Sequence, residues 1–159
     1  MPNRITNFDV LPMNIKVLDC SYNELTSLNN LHLGLEKLDC SGNDIEHLDK
    51  LPQSLTKLDC HYTLVSALDN LPDSLIELNC GGTPVKSLDK LPQSLLMLFC
   101  GEICALSLDN LPQSLLELHC YDNKLISLDY LPSSLRVLCC RDNMITSLNN
   151  LPHSLHELI

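Results

Sequence analysis

Aromatic and basic side chains are scarce in this sequence of 159 residues. It has no tryptophan, two phenylalanines and four tyrosines, so leucine must supply most of the packing in any core. Ten lysines and arginines stand against twenty aspartates and glutamates, and the net charge of −10 argues against a nucleic-acid partner. The surplus of acidic groups instead favours solubility and a basic partner.

Long apolar runs are also missing. No run approaches the ~18 residues that a membrane helix needs, so we predict no membrane partner. The first residues, MPNRITNFDV, lack the charged-then-apolar pattern of a signal peptide. We therefore expect no signal-peptide-dependent secretion, although secretion by a specialised machine would leave no such mark. The nine cysteines then fit a reducing, cytoplasmic location.

The sequence repeats every 20 residues, and the averaged unit is LPxSLxxLxCxxNxLxSLDN. A unit this short cannot bury its own apolar face, so successive units must stack to form a core. The clearest copies are LPQSLTKLDC (51–60), LPDSLIELNC (71–80), LPQSLLMLFC (91–100), LPQSLLELHC (111–120) and LPSSLRVLCC (131–140).

These repeats define a single domain that covers residues 1–159. We divide it into a partial repeat (1–10), seven repeats (11–150) and a second partial repeat (151–159). In LxxLxC, the second leucine and the cysteine are two residues apart and point to the same side of a strand. Parallel strands stack about 4.8 Å apart, so eight of them give a sheet of roughly 35–40 Å. Proline after leucine disfavours helix and favours an extended return path.

The order LxxLxCxxNxL resembles the leucine-rich-repeat family, and the LPxSLxxL segment resembles its short, 20-residue bacterial-type class. That class includes secreted effectors, and similar LP-rich repeats occur in amoebal and giant-virus proteins. The resemblance implies a β-rich solenoid: a curved parallel sheet of about eight strands, an extended, polyproline-like convex side and little helix. It also implies that the concave sheet face binds a partner protein, in an effector or host-interacting protein that could reach the host cytoplasm.

Seven cysteines occupy one column of the repeat, and we predict that they face inward as a ladder of reduced thiols. A parallel ladder does not converge on a metal ion, so we expect no zinc site and no other cofactor. Cys139 occupies the alternate, outward position, where we expect an exposed thiol without a special role. The column consists of Cys20, Cys40, Cys60, Cys80, Cys100, Cys120 and Cys140.

An asparagine column follows the cysteines, and its side chains are expected to bond the backbone of the neighbouring turn. The column contains Asn23, Asn43, Asn123 and Asn143. The middle three units depart from it, with Thr63, Thr83 and Ile103. Because isoleucine can donate no side-chain hydrogen bond, we expect the unit that contains Ile103 to be irregular.

An acidic column precedes each Leu-Pro pair. We predict that its side chains bond the backbone of the following turn. A ladder of calcium ions is the alternative, but the column lacks the converging oxygens that calcium prefers. Its members are Asn29, Asp49, Asp69, Asp89, Asp109, Asp129 and Asn149.

The outward columns of the sheet contain an apolar centre with a charged rim. Register places Met97 and Phe99 side by side on this face, and such a cluster is typical of a protein interface. Scattered apolar residues on a surface are also common and need no function. We predict a partner-binding site that consists of Lys37, Asp39, Lys57, Asp59, Tyr62, Met97, Phe99, His119, Tyr121 and Arg141.

We therefore predict a non-enzymatic protein-interaction module. No histidine pairs by register with both a nucleophile and an orienting acid. A self-assembling scaffold is the alternative, because open strand edges at the two ends of the sheet invite pairing between copies. A thiol enzyme that uses Cys139, one strand beyond His119, is a third interpretation.

Overall fold

Eight short strands make up the regular structure of the protein. The structure is a computed structural model that describes residues 3–8 and 10–159, and no helix occurs in these ranges. The described residues accordingly contain no apolar helix of membrane-spanning length. The strands are β1 (Val17–Asp19), β2 (Lys37–Asp39), β3 (Lys57–Asp59), β4 (Glu77–Asn79), β5 (Met97–Phe99), β6 (Glu117–His119), β7 (Val137–Cys139) and β8 (Glu157–Leu158).

Each strand pairs in parallel with the next strand along the chain, and the sheet order runs from β1 to β8. The register is a constant shift of 20 residues, so that Leu58 pairs with Leu78 and Leu78 pairs with Leu98. Identical units therefore place identical columns side by side across the sheet. The predicted β-rich solenoid with eight parallel strands is confirmed.

Leucine and cysteine fill the core. The central leucine of β3 to β6 is buried while its two neighbours are half-buried, as the alternation of side chains along a strand requires. The cysteines form the predicted inward ladder: all are free thiols, and only Cys140 of the column is not fully buried. Burial raises the pKa of Cys20, Cys80 and Cys120 to about 12, so these side chains are neutral.

Asparagine joins neighbouring repeats as predicted. The amide of Asn43 donates to the carbonyls of Cys20, Cys40 and Ser41 at 3.0, 3.0 and 3.1 Å, and its Oδ1 accepts the N–H of Leu25 at 2.9 Å. Asn123 makes the same three donations, here to Cys100, Cys120 and Tyr121. These bonds satisfy backbone groups that the solenoid would otherwise bury unpaired.

The central repeats have weaker connections at this position. Thr63 and Thr83 each donate one bond, to the carbonyls of Cys60 and Cys80 at 2.7 and 2.6 Å. Ile103 is 6% exposed and has no polar side-chain atom to offer. The next residue, Cys104, has a φ of 59°, and it alone in its column of the described repeats adopts a left-handed conformation. The predicted irregularity at Ile103 is confirmed.

The prediction for the acidic column is wrong. Three of its carboxylates bond side chains that lie 21 residues further along the chain, not the backbone of the following turn. Lys90 pairs with Asp69 at 2.9 Å, Asn110 donates to Asp89 at 3.1 Å, and Asn150 donates to Asp129 at 3.1 Å. The reason is that polar side chains at the position after the column in the next repeat, Lys90, Asn110 and Asn150, lie within bonding distance of these carboxylates.

A column of serines, which the repeat pattern alone did not mark as functional, joins successive Leu-Pro turns by hydrogen bonds. The Oγ of Ser74 donates to the carbonyls of Gln53 and Leu55 at 2.7 and 2.8 Å. Ser94 donates to the carbonyl of Leu75, the residue 19 positions earlier, at 2.7 Å. The same bond to the residue 19 positions earlier recurs at Ser54, Ser114, Ser134 and Ser154.

Candidate partner-binding face

The outward side chains of the strands form one continuous surface, which we call the sheet face. It consists of the first and third residue of β1 to β7, the first residue of β8, and the two residues that directly follow each cysteine of the column in the first seven repeats. All ten residues predicted to bind a partner lie in these columns. β2 and β3 contribute four of the eight polar ones, and β5 contributes the apolar pair.

Met97 and Phe99 lie at the centre of the sheet face, and both are half-buried. The ring of Phe99 stacks on the imidazole of His119 in β6, with 4.6 Å between centroids and 18° between planes. Nε2 of His119 lies 2.7 Å from Oε1 of Glu117, which holds the imidazole in place. Ile76, whose carbonyl accepts the N–H of Met97 at 3.1 Å, is 37% exposed.

Carboxylates held by serine occupy the first strands. Oδ1 of Asp39 accepts both the N–H and the hydroxyl of Ser41, at 3.0 and 2.6 Å. Asp19 is held by Ser21 in the same way, at 3.0 and 2.7 Å. The hydroxyl and N–H of Ser21 lower the pKa of Asp19, so this carboxylate stays ionised. Asp19 and Asp39 are paired by register, which places two anionic groups next to each other.

Beyond them, the charged side chains of β3 are paired with residues of β4 and of the turn that follows β3. Nζ of Lys57 lies 2.7 Å from Oε1 of Glu77, and this bond raises the pKa of Lys57. Asp59 is bonded at one oxygen by Nδ1 of His61, at 2.7 Å, and at the other by the amide of Asn79, at 3.1 Å. The part of the sheet face formed by β3 and β4 is therefore polar but largely paired.

Tyrosine rings lie over glycines in the turns after the strands. Tyr62 covers Gly82, where a Cβ atom would come within 2.2 Å of the ring, and its hydroxyl donates to Glu102 at 3.2 Å. The hydrogen bond to Glu102 raises the pKa of Tyr62. Tyr121 covers Gly101, where a Cβ would lie 2.6 Å from the ring.

Arg141 completes the C-terminal rim of the sheet face. Its guanidinium carbon lies 5.1 Å from the centroid of the Tyr121 ring, within the range of a cation–π contact. The structure thus joins Tyr121 to Arg141, and Phe99 to His119. It does not bring Lys37 into an ion pair among the described residues.

The expectation of an exposed Cys139 thiol is wrong. Cys139 does lie in the outward column, paired with His119, but it is only 6% exposed. The thiol is shorter than its neighbours in that column, His119 on one side and Ile159 on the other, so they shield it. Cys104 is instead the exposed cysteine.

Away from the sheet face, the irregular repeat borders a crevice of about 630 Å³ between the return segments 83–89 and 102–109. Its lining is mostly apolar and includes Ile103 and the 71% exposed Leu106. The missing asparagine leaves the N–H of Val85 without the side-chain acceptor that Leu25 receives from Asn43. No group of three or more His, Cys, Asp or Glu within the described residues is arranged to hold a metal ion.

Comparison with known proteins identifies structural relatives. A scan against protein-family models finds no match, and neither does a search of curated proteins. Among solved structures, YopM from Yersinia enterocolitica has a TM-score of 0.77 and 27% identity over 99% of this chain. A Shigella effector leucine-rich-repeat domain has a TM-score of 0.74 and 30% identity over 87% of this chain.

A third similar structure is the functional domain of InlJ from Listeria monocytogenes, with a TM-score of 0.64 and 25% identity over 92% of this chain. That domain is described as including a cysteine ladder, a feature that this chain shares in its column of buried thiols. The chain spans 40% of the YopM chain, 62% of the Shigella domain and 39% of the InlJ domain, less than two thirds of each.

Proposed function

We propose that this chain, a leucine-rich-repeat solenoid with 20-residue repeats like those of bacterial effectors, binds a partner protein through its sheet face. The observation that carries the proposal is the half-buried pair of Met97 and Phe99 at the centre of that face. An apolar centre with a polar rim is the usual anatomy of a protein interface. The rim here contains tyrosine and arginine, which are enriched at interfaces.

We propose that the module has no catalytic role. Cys139 and His119 are neighbours by register, but the thiol is buried, and the imidazole is engaged by Phe99 and Glu117. A nucleophile needs access to its substrate as well as a base within reach. These contacts suit a rigid binding surface better than a thiol enzyme.

The similarity to YopM and to a Shigella effector domain supports a role as an effector that acts in a host cytoplasm. The ladder of free thiols fits such a reducing compartment, because these side chains contribute to the core as small apolar groups. Immunofluorescence of infected or transfected host cells would test this location, and exclusive retention outside the host cytoplasm would contradict it.

The binding proposal is tested by capture from a eukaryotic cytosolic lysate, read by mass spectrometry. The variant Met97→Lys/Phe99→Asn removes the apolar centre with residues that occupy the same columns in other repeats, at Lys57 and Asn79. It should therefore fold. We expect the partner to be captured at least about tenfold less by this variant, because central apolar anchors dominate interface energies.

Leu106→Lys/Ile126→Asn is the matched control. These residues are 71% and 65% exposed, but they lie on the return segments away from the sheet face. The control variant should capture the partner as well as wild type does. Equal capture by all three proteins would reject Met97 and Phe99 as the anchor.

Association between copies is the second candidate function. β1 and β8 are the two edge strands of the sheet. Val17 is 61% exposed on β1, and Leu158 is 41% exposed on β8. Exposed edge strands favour pairing with another chain. Light scattering that gave a monomer at every concentration would reject this candidate.

A further inference from the structure

The sheet face is strongly acidic for a surface with an apolar centre. Its columns contain three basic residues, Lys37, Lys57 and Arg141. They contain nine acidic residues, which are Asp19, Asp39, Asp59, Glu77, Glu102, Glu117, Asp122, Asp142 and Glu157. Lys57 is moreover neutralised by Glu77 at 2.7 Å. The charge of this face therefore complements a basic partner.

Asp19 on β1 and Asp39 on β2 are the acidic groups of this face that a serine holds at one oxygen. Oδ1 of Asp39 is held by Ser41, whereas its Oδ2 accepts no hydrogen bond from the residues that the structure describes. Asp19 beside it has the same arrangement with Ser21. Asp59, in contrast, has both oxygens occupied, by His61 and Asn79. A cation would thus find rigid, unoccupied carboxylate oxygens at Asp19 and Asp39.

The surface between these carboxylates and the apolar centre is polar, and its side chains are short. A path across this surface passes Asp59 and Asn79, which bond each other at 3.1 Å. Gly81 follows Asn79 in the next turn and presents no side chain to the occupant. A polypeptide backbone could therefore pass close to the sheet between the two ends of this path, with polar groups along it for hydrogen bonds.

We propose that the partner presents an extended, basic segment to this face, with one arginine or lysine at Asp19 and Asp39 and one large apolar side chain on Met97 and Phe99. The inference rests on the proposed function and adds the chemistry of the ligand. Asp39 and Phe99 belong to β2 and β5, three strand spacings apart, or about 14 Å. An extended chain covers that distance in about four residues. The basic residue and the apolar anchor are therefore four positions apart.

The test uses a library of random 12-residue peptides displayed on phage and selected on immobilised wild-type protein. We expect at least tenfold enrichment of peptides in which arginine or lysine lies four residues from phenylalanine, tryptophan or leucine. Asp39→Asn should lose the basic preference and keep the apolar one, because asparagine already serves in this column at Asn79. Asp39→Lys should replace the basic preference with an acidic one.

Asp49→Lys is the matched control, since it makes the same charge change at an exposed carboxylate outside the sheet face. It should select the same peptides as wild type. The inference is overturned if Asp39→Asn keeps the basic preference or if wild type enriches no such pair. It is also overturned if the two residues lie nine or ten positions apart, because that spacing describes a helical ligand.

The same selection separates this inference from the proposed function. Peptides that depend on Met97 and Phe99 but not on Asp39 would reject the basic segment and leave the binding face in place. If Met97→Lys/Phe99→Asn selects the same peptides as wild type, both the ligand chemistry and the proposed anchor are wrong. Loss of the apolar preference in that variant, with the basic preference retained, supports both.

Discussion

Repeats joined by asparagine differ from the central repeats in how they are held together. Asn43 makes two bonds to the preceding repeat, donating to Cys20 and accepting from Leu25, and it donates two more within its own repeat. Thr83 makes a single bond within its own repeat, and Ile103 makes none. The strands nevertheless keep the same register in both regions. Leucine packing and strand pairing are therefore sufficient for the fold, and the asparagine column adds stability to it.

The difference coincides with the position of the most unusual surfaces. The central repeats contain the apolar pair of Met97 and Phe99, and the crevice lies beside Ile103. Cys104, the residue with an exposed thiol, adopts its left-handed conformation in the same unit. Fewer side-chain bonds between repeats in this region accompany the apolar pair that we propose as the anchor for a partner.

The cysteine column is common to both regions, and alkaline pH is expected to destabilise both of them strongly. Burial raises the pKa of Cys20, Cys80 and Cys120 from 9.0 to about 12, so the unfolded thiols ionise before the folded ones. The stability due to this difference is complete below pH 9 and is lost as the pH rises toward 12. Between pH 9 and pH 12, the contribution of each such thiol to the free energy of unfolding falls by about 1.4 kcal/mol per pH unit.

Urea denaturation at pH 7, 9 and 10.5 in the presence of a reducing agent measures this loss. Cys80→Val removes one ionisable thiol from the centre of the ladder and is the control. Its stability should fall less steeply between pH 9 and 10.5 than that of wild type. A urea midpoint that did not change over this range would contradict the burial of the ladder.

Alanine substitutions at matched positions test the comparison directly. Asn43→Ala removes the side-chain partner of three carbonyls and one N–H, although the carbonyl of Ser41 still accepts the N–H of Tyr22, and we expect a loss of about 3 kcal/mol in the free energy of unfolding. Thr83→Ala removes one 2.6 Å bond, and we expect a loss of about 1 kcal/mol. Thermal or urea unfolding gives both values. Equal losses would show that the asparagine column does not distinguish the regions.

Placing an asparagine in the irregular repeat tests whether the missing side chain explains the difference between the two regions. Of the substitutions considered, it has the smallest expected effect on stability. In Ile103→Asn, the new Oδ1 can accept the N–H of Val85, as Asn43 accepts that of Leu25. We expect hydrogen exchange at Val85 to slow about tenfold, while global stability changes by less than about 1.5 kcal/mol because apolar burial is lost. Amide hydrogen exchange followed by NMR measures the rate at Val85, and urea denaturation measures the global stability. Unchanged exchange at Val85 would mean that the turn does not adopt the geometry of the other repeats.

Sequence reasoning could predict the register and the facing of each column, because the leucine and cysteine spacing fixes both. It could also identify Ile103 as a defect, since isoleucine has no donor. It could not predict contacts that depend on the rotamer of a neighbour. The bond from Tyr62 to Glu102 crosses two repeats and requires the space above Gly82. The burial of Cys139 likewise depends on the lengths of the side chains around it.

The constant 20-residue register has a consequence for how the sheet face could change in evolution. Deletion of residues 61–80 would remove one strand and leave Asp39 and Phe99 in their columns, now separated by two strand spacings instead of three. Duplication of the same unit would separate them by four. Whole-repeat loss or gain would therefore change the length of segment that this protein accepts in steps of about one and a half residues, without altering the side chains at either end of the path.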